Sequence, residues 1–318
     1  MRAGTLETAA LSVTCHPSHG FVISAIVDRA SGQNILWNPP NAPLADLDGQ
    51  IGPPGAESIE TFDEGILAGG WFGMFPTAGL PGSRSDLWMH GEAPRLPWVV
   101  RDATATSISC SVDLPVSGFH LERVVQLDGT RVTVSTTAVN QSGGPRSITF
   151  GEHPCFRREL FAGGRIVLQS GSHGWVATPE QPEAARFAGD QPFLWPLVPL
   201  TTGGVEDASA VPMFPDARQD HLVLKPAGSR LVVESPQLGC AVVIEYDPLA
   251  FQHALLWQHF LPPGSPWPGD VFAVEPSSAP GCTFDDAVAA GAVRIIGDGE
   301  SIRYWMSLHL ERSASSRP

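Results

Sequence analysis

The sequence predicts an all-β protein, an antiparallel sandwich or barrel, and three observations carry that prediction. Short runs with period-two alternation or β-branched enrichment recur from one end of the chain to the other. Turn-forming residues punctuate them: Gly 33 plus Pro 30 gives 63 of 318 residues, enough for many turns and below the level of low-complexity sequence. Helical periodicity is scarce, and strands that follow one another without intervening helices exclude a doubly wound α/β arrangement. With 42% apolar and 16% charged residues, the chain can bury a substantial core.

Taken in order, the expected strands are Phe21–Val27, Ser107–Leu114, His120–Leu127, Arg131–Val139, Arg165–Leu168, Leu222–Leu224, Arg230–Glu234, Ala241–Tyr246, Ala254–Phe260, Val271–Val274, Ala292–Ile296 and Ser301–Leu310. Arg131–Val139 alternates cleanly, as a strand with one buried and one wetter face should. Asp128-Gly129 signals a tight hairpin, because such turns need positive φ angles. One helix is expected over Thr283–Ala290: Thr283 caps it, Asp285 and Asp286 favour its positive end, and Gly291 terminates it. The Pro-rich stretches Asn38–Pro43, Pro179–Pro192 and Pro262–Pro268 read as long connections inside one domain, residues 1–311. Arg312–Pro318 reads as a disordered tail.

The formal charge of −14 argues against a nucleic-acid backbone or an anionic membrane surface as partner. Lys225 is the only lysine. No stretch approaches the length of a membrane span, and Met1–Thr14 lacks the long apolar run of a secretory signal. Five scattered cysteines (Cys15, Cys110, Cys155, Cys240, Cys282) form neither a disulfide framework nor a zinc motif. Reduced, buried thiols in a cytoplasmic protein are the expectation.

No phosphate loop, nucleophile elbow or HExxH occurs. Three segments concentrate chemistry instead. Leu87–Trp98 places His90-Gly91 before Glu92, Arg95 and Trp98. Phe150–Arg158 puts Glu152 and His153 at a strand end, with Pro154 enforcing an extended exit. Val271–Gly281 ends an apolar run at Glu275, where a carboxylate is costly to bury and more naturally faces a pocket. Taken singly, each has an ordinary reading: a histidine or glutamate satisfied by backbone, or Trp88, Trp98, Trp257 and Trp267 as core. Aromatic faces in loops also stack on sugar rings. Spacing alone does not bring positions 90, 153 and 275 together.

Together, however, the three segments resemble the aldose 1-epimerase (galactose mutarotase-like) superfamily. His90-Gly91 is similar to its HG motif, His153-Pro154-Cys155-Phe156 to its HPYF-like segment, and Glu275-Pro276-Ser277-Ser278-Ala279-Pro280 to its late EP segment. Gly299-Glu300-Ser301 resembles the approach to the family's last strand, and His19–Trp37 its opening hairpin. The resemblance implies a β-supersandwich with a sugar in a groove on a concave sheet. It implies Glu275 as general base at the anomeric hydroxyl, His153 as general acid at the ring oxygen, and His90 as an assisting hydrogen-bonding group. Arg95, Trp98, Glu152, Arg157, Trp257 and Gln258 are the expected substrate contacts. No metal or other cofactor is called for, and the assembly is a monomer or a homodimer.

The chain departs from the family at Ala68–Pro76, where an Asn-Arg pair is usual and no arginine occurs. Two other readings stay open at this stage: a carbohydrate-binding protein without turnover, and an enzyme for uronates or phosphorylated sugars. In the latter, Arg95, Arg157 or Arg158 would hold the anion.

Overall fold

The alternating runs pair into two antiparallel sheets. In the computed structural model, residues 4–39, 44–177, 184–189, 191–213, 218–261 and 269–312 are described, with only the backbone at 261 and 269. The first sheet has eleven strands, in the order Gly4–Glu7, Leu11–His16, Val22–Asp28, Trp71–Met74, Gly151–Arg157, Gly269–Ser277, His253–Leu261, Arg218–Lys225, His173–Val176 and Phe193–Leu194, with Gln33–Asn34 paired to the third. The second has eight: Ile166–Leu168, Arg230–Ser235, Cys240–Tyr246, Ser301–Arg312, Arg131–Asn140, Phe119–Asp128, Ser107–Asp113 and Val99–Ala103. The sheets form an all-β, antiparallel sandwich of the kind the resemblance implies, with three short α-helices among the described residues.

Every expected strand coincides with a strand of the structure, and the Gly129–Thr130 hairpin closes Asp128 onto Arg131 with Gly129 at φ 56°. The expected helix is Phe284–Ala289, with Thr283 and Asp286 forming a reciprocal capping box. Several elements lacked a sequence signal. Glu57–Gly65 is a helix whose only buried positions are Ser58 and Phe62, too thin a stripe to read as amphipathic. Trp71–Met74 is four residues long, and Gly151–Arg157 carries a proline in mid-strand. The final strand continues through Arg312, which pairs with Asp28; the rest of the expected tail lies outside the described residues. So do positions 40–43, 179–183, 190 and 262–268 of the Pro-rich connections.

Strand alternation sorts the larger sheet into two faces. One face contributes Trp71, Phe156, Phe272, Val274, Leu256 and Phe260 to the main core shared with the eight-stranded sheet. The other face contributes Phe72, Met74, Cys155, Val271, Ala273 and Trp257 to a second cluster, closed by Phe62 from the 57–65 helix, by Ile66 just after it and by Met89. One buried ion pair spans the main core. Arg123, from the eight-stranded sheet, donates to both oxygens of Glu152 at 2.6 and 2.7 Å, and Trp71 Nε1 donates to the same carboxylate at 2.7 Å.

Candidate active site

The second face of the larger sheet carries the chemistry. The register that sets Gly151 opposite Ser277 and Cys155 opposite Ala273 places His153 across from Glu275. On the outer neighbours, His153 faces Phe72 and Glu275 faces Leu255. Pairing between the two central strands is interrupted between those two positions, next to Pro154 and Pro276, which have no N–H to donate. His153 Nε2 lies 3.4 Å from Glu275 Oε1, and both side chains are buried. The imidazole is stacked on Phe72 (4.6 Å between centroids) and meets Trp257 edge-on at 5.9 Å. Its Nδ1 is 3.3 Å from Cys155 Sγ.

His90 reaches this pair from a loop with unusual backbone. It has φ 58°, a left-handed conformation rare outside glycine, and Gly91 follows at φ 78°. A Cβ on Gly91 would lie 2.2 Å from the Phe75 carbonyl oxygen, so glycine is the residue that fits beside His90. The ring of His90 packs edge-on against Phe62 (4.9 Å) and His153 (5.4 Å). Its Nδ1 is buried without a hydrogen-bond partner among the described residues.

His90, His153 and Glu275 line one pocket together with Trp257 and His221. Its remaining wall is largely carbon, from Phe62, Leu67, Leu80, Met89 and Leu255. Burial pushes the three pocket histidines toward the neutral form: His153 to about 3, His221 to about 4, and His90 well below the ordinary value, with neighbouring histidines adding to the effect. A hydrogen bond to its own backbone opposes part of this at His153. Burial raises the Cys155 thiol, and Glu275 adds to it, so this thiol stays protonated. Among the described residues no group of three or more His, Cys, Asp or Glu is placed to hold a metal ion, and no helix is long and apolar enough to cross a membrane.

Five of the expected substrate contacts are placed elsewhere, by strand parity, by burial or, for Arg157, by distance along its strand. Glu152 is one residue from His153 and therefore points to the main core, where Arg123 and Trp71 engage it. Gln258, next to Trp257, likewise faces the core side and accepts from Arg186 at 2.6 Å. Trp98 packs against Phe21 in the main core and donates to the Ala93 carbonyl. Arg95 is fully buried, donates to the carbonyls of Ile51, Ser58 and Met89, and lies over the Phe62 ring. It braces the helix and the loop that carries His90 rather than lining the pocket. Arg157, at the far end of its strand, is tied to Glu159. Arg158 is held by Asp270 and the carbonyls of Pro212 and Met213.

Sequence reasoning missed His221 and the carbon wall. His221 sits in Arg218–Lys225, opposite Trp257, and the alternation of that strand (Gln219, His221, Val223) was the signal that put it on the Trp257 face. Phe62, Leu67 and Leu80 belong to segments without a readable pattern.

A prediction follows from the buried histidines. Unfolded His221 and His253 take up protons below about pH 6.5, whereas burial holds both near 4 in the folded protein. Between those values the unfolded state binds more protons, so stability is full above about 6.5 and falls as pH falls, by about 1.4 kcal/mol per pH unit for each such histidine. Denaturant unfolding at pH 7.5 and pH 5 measures this; equal stability at the two values would refute the buried-neutral assignment.

Comparison with solved structures agrees with this architecture. A candidate aldose 1-epimerase from Escherichia coli K12 superposes with a TM-score of 0.68 at 19% identity, covering 98% of this chain and 99% of that one. A galactose mutarotase related enzyme from Lactobacillus acidophilus gives 0.63 at 14% identity, covering 99% of both chains. A galactose mutarotase-like protein from Clostridium acetobutylicum gives 0.65 at 13% identity, over 97% and 95%. No protein-family model matches the sequence, and no curated protein matches it. At these identities the likeness establishes the fold: the chain has the galactose mutarotase-like fold over essentially its whole length.

Proposed function

We propose that the protein is a sugar mutarotase of the aldose 1-epimerase type, interconverting the anomers of a cyclic aldose. The observation that carries this reading is the convergence of His90, His153 and Glu275 in one pocket, with His153 Nε2 and Glu275 Oε1 3.4 Å apart. The two oxygens of a hemiacetal hang from one carbon. An acid and a base that serve both must therefore sit within a few ångströms of each other.

Glu275 takes the proton from the anomeric hydroxyl while His153 gives one to the ring oxygen. The bond from the anomeric carbon to the ring oxygen breaks, and the anomeric carbon becomes the aldehyde carbonyl. Rotation about the adjacent carbon–carbon bond and reclosure with the proton roles reversed yield the other anomer. Burial favours the neutral imidazole, so His153 must take up its proton with Glu275 Oε1 3.4 Å from its Nε2 before giving it to the ring oxygen. His90, whose ring lines the pocket, supplies a hydrogen bond to a neighbouring sugar oxygen.

An acidic or phosphorylated sugar would need a cation, and no Arg or Lys is among the described residues lining the pocket. The described lining therefore suits a neutral sugar. Proton-exchange NMR on freshly dissolved neutral aldoses tests the proposal: the protein is expected to accelerate anomer interconversion of at least one sugar at substoichiometric concentration. A folded protein that perturbs no exchange rate, while sugars still shift its own resonances, would make it a binding protein instead.

A further inference from the structure

We infer that Cys155 is a positioning residue for the proton donor: its sulfur accepts from His153 Nδ1–H and leaves Nε2 as the nitrogen that exchanges a proton with the sugar. The inference rests on the mutarotase reading and adds the residue that fixes which ring nitrogen serves it.

Both ring nitrogens of His153 have a neighbour in the structure. Nε2 lies 3.4 Å from Glu275 Oε1, and Nδ1 lies 3.3 Å from Cys155 Sγ. Two residues apart in one strand, His153 and Cys155 share a face, which brings the sulfur beside the imidazole. The main chain that presents the sulfur is tied down. Cys155 N–H donates to the Gly70 carbonyl at 2.8 Å, and its own carbonyl accepts from Trp37 N–H at 2.9 Å. Phe72 stacks on the imidazole and Trp257 meets it edge-on, so the ring has little freedom to turn. Cys155 is fully buried; burial, with Glu275 adding to it, raises the thiol, so the sulfur stays neutral and keeps its own proton.

Proton chemistry decides which way this contact runs. A neutral imidazole carries hydrogen on one nitrogen and a lone pair on the other. Were Nε2 to hold the hydrogen of the neutral ring, giving it up would leave an imidazolate. A ring that passes between imidazolium and neutral forms through Nε2 must therefore keep hydrogen on Nδ1 throughout. The sulfur accepts that hydrogen, and so does the main chain: the hydrogen bond of His153 to its own backbone falls to Nδ1, the nearer nitrogen. The partner at one ring nitrogen sets which of the two carries the proton. Glu275, His90 and His221 are the other titratable groups facing His153, and Glu275 stands at Nε2. A neutral thiol is a weak acceptor, so it orients the ring without making it more basic, as a carboxylate in its place would. Once protonated, His153 keeps an acidic Nε2–H.

Long-range proton–nitrogen correlation NMR on the resting protein reads the tautomer directly, with His153→Asn identifying the signal. The expected result is hydrogen on Nδ1 and a lone pair on Nε2. Hydrogen on Nε2 in the neutral ring would overturn the inference. Cys155→Ala is expected to lower kcat for anomer exchange roughly 10- to 100-fold with little change in KM, and to shift part of the population to the Nε2–H form. Cys155→Ser, whose hydroxyl accepts from the same N–H, is expected to recover most of the lost kcat and the original tautomer. A merely structural role would destabilise both variants and leave the tautomer unmoved. Unchanged kcat and tautomer in folded C155A, or a C155S protein no better than C155A, would count against the assignment. If C155A does not fold, C155S and the wild-type spectrum decide. If the wild type accelerates no sugar, the mutarotase reading fails by itself, and the resting spectrum still decides which nitrogen Cys155 engages.

Discussion

Glu275→Gln is expected to lower catalysed anomer exchange roughly 10²–10⁴-fold while leaving the fold intact. The amide keeps the volume of the carboxylate beside Leu255 and can still hydrogen-bond toward His153, so the packing of the pocket floor is conserved. What it loses is the ability to accept a proton from the anomeric hydroxyl. Exchange NMR on the sugar that the wild type accelerates measures the loss, and the protein's own amide spectrum checks the fold. Full exchange activity in a folded E275Q protein would remove Glu275 as the base and transfer that role to one of the pocket histidines.

Glu152→Ala is expected to cost about 3–5 kcal/mol of stability, although Glu152 adjoins the proton donor in sequence. Removing the carboxylate leaves Arg123 charged in the main core, and Trp71 Nε1 loses the same acceptor. Burial by itself would weaken the hold of Arg123 on its proton, and Glu152 more than offsets that, so the guanidinium stays charged and would be stranded. Denaturant or thermal unfolding measures the effect. A double replacement of Arg123 and Glu152 by apolar residues of similar volume is expected to recover most of it, because removing both charges leaves neither stranded. A loss below about 1 kcal/mol in Glu152→Ala would mean that water reaches the pair.

The expected effect of Glu152→Ala on stability sets this residue apart from the histidine beside it in sequence. Glu152 and His153 were singled out as neighbours in one functional segment. In an extended strand, neighbours point to opposite faces, so one serves the core and the other the pocket. The same parity divides Gln258 from Trp257. Each of these pairs needed only the knowledge that its segment is a strand with a buried face on both sides. Pro154 and Pro276 concealed that for the two central strands, since a proline in mid-strand normally argues for an edge or a loop. Val271–Val274 was recognised, yet the strand continues through Ser277 and carries Glu275 within it.

Arginine was the other source of misassignment. Arg95 lies in the segment that supplies His90, and a guanidinium near a candidate histidine reads as an anion or sugar contact. Its two terminal nitrogens instead donate to the carbonyls of Ile51, Ser58 and Met89, which lie 6 to 44 residues away in the chain. No local pattern announces a side chain that satisfies backbone groups of distant loops.

Alternation, turn residues and the shortage of helical periodicity were sufficient to determine from sequence alone that this is an antiparallel β protein, because those signals are local: a side-chain period of two and a Gly at positive φ are properties of a few consecutive residues. The order His90, His153, Glu275 was likewise readable, through the short motifs that carry each. Only the tertiary structure decided that these three share one pocket, that His221 joins them, and that Arg95, Trp98, Glu152, Arg157 and Gln258 do not. The pocket draws on chain positions from Phe62 to Cys282, brought together by strand register and by a helix too faintly patterned to read. Register and packing across such separations depend on the whole fold at once, and no window of sequence contains them.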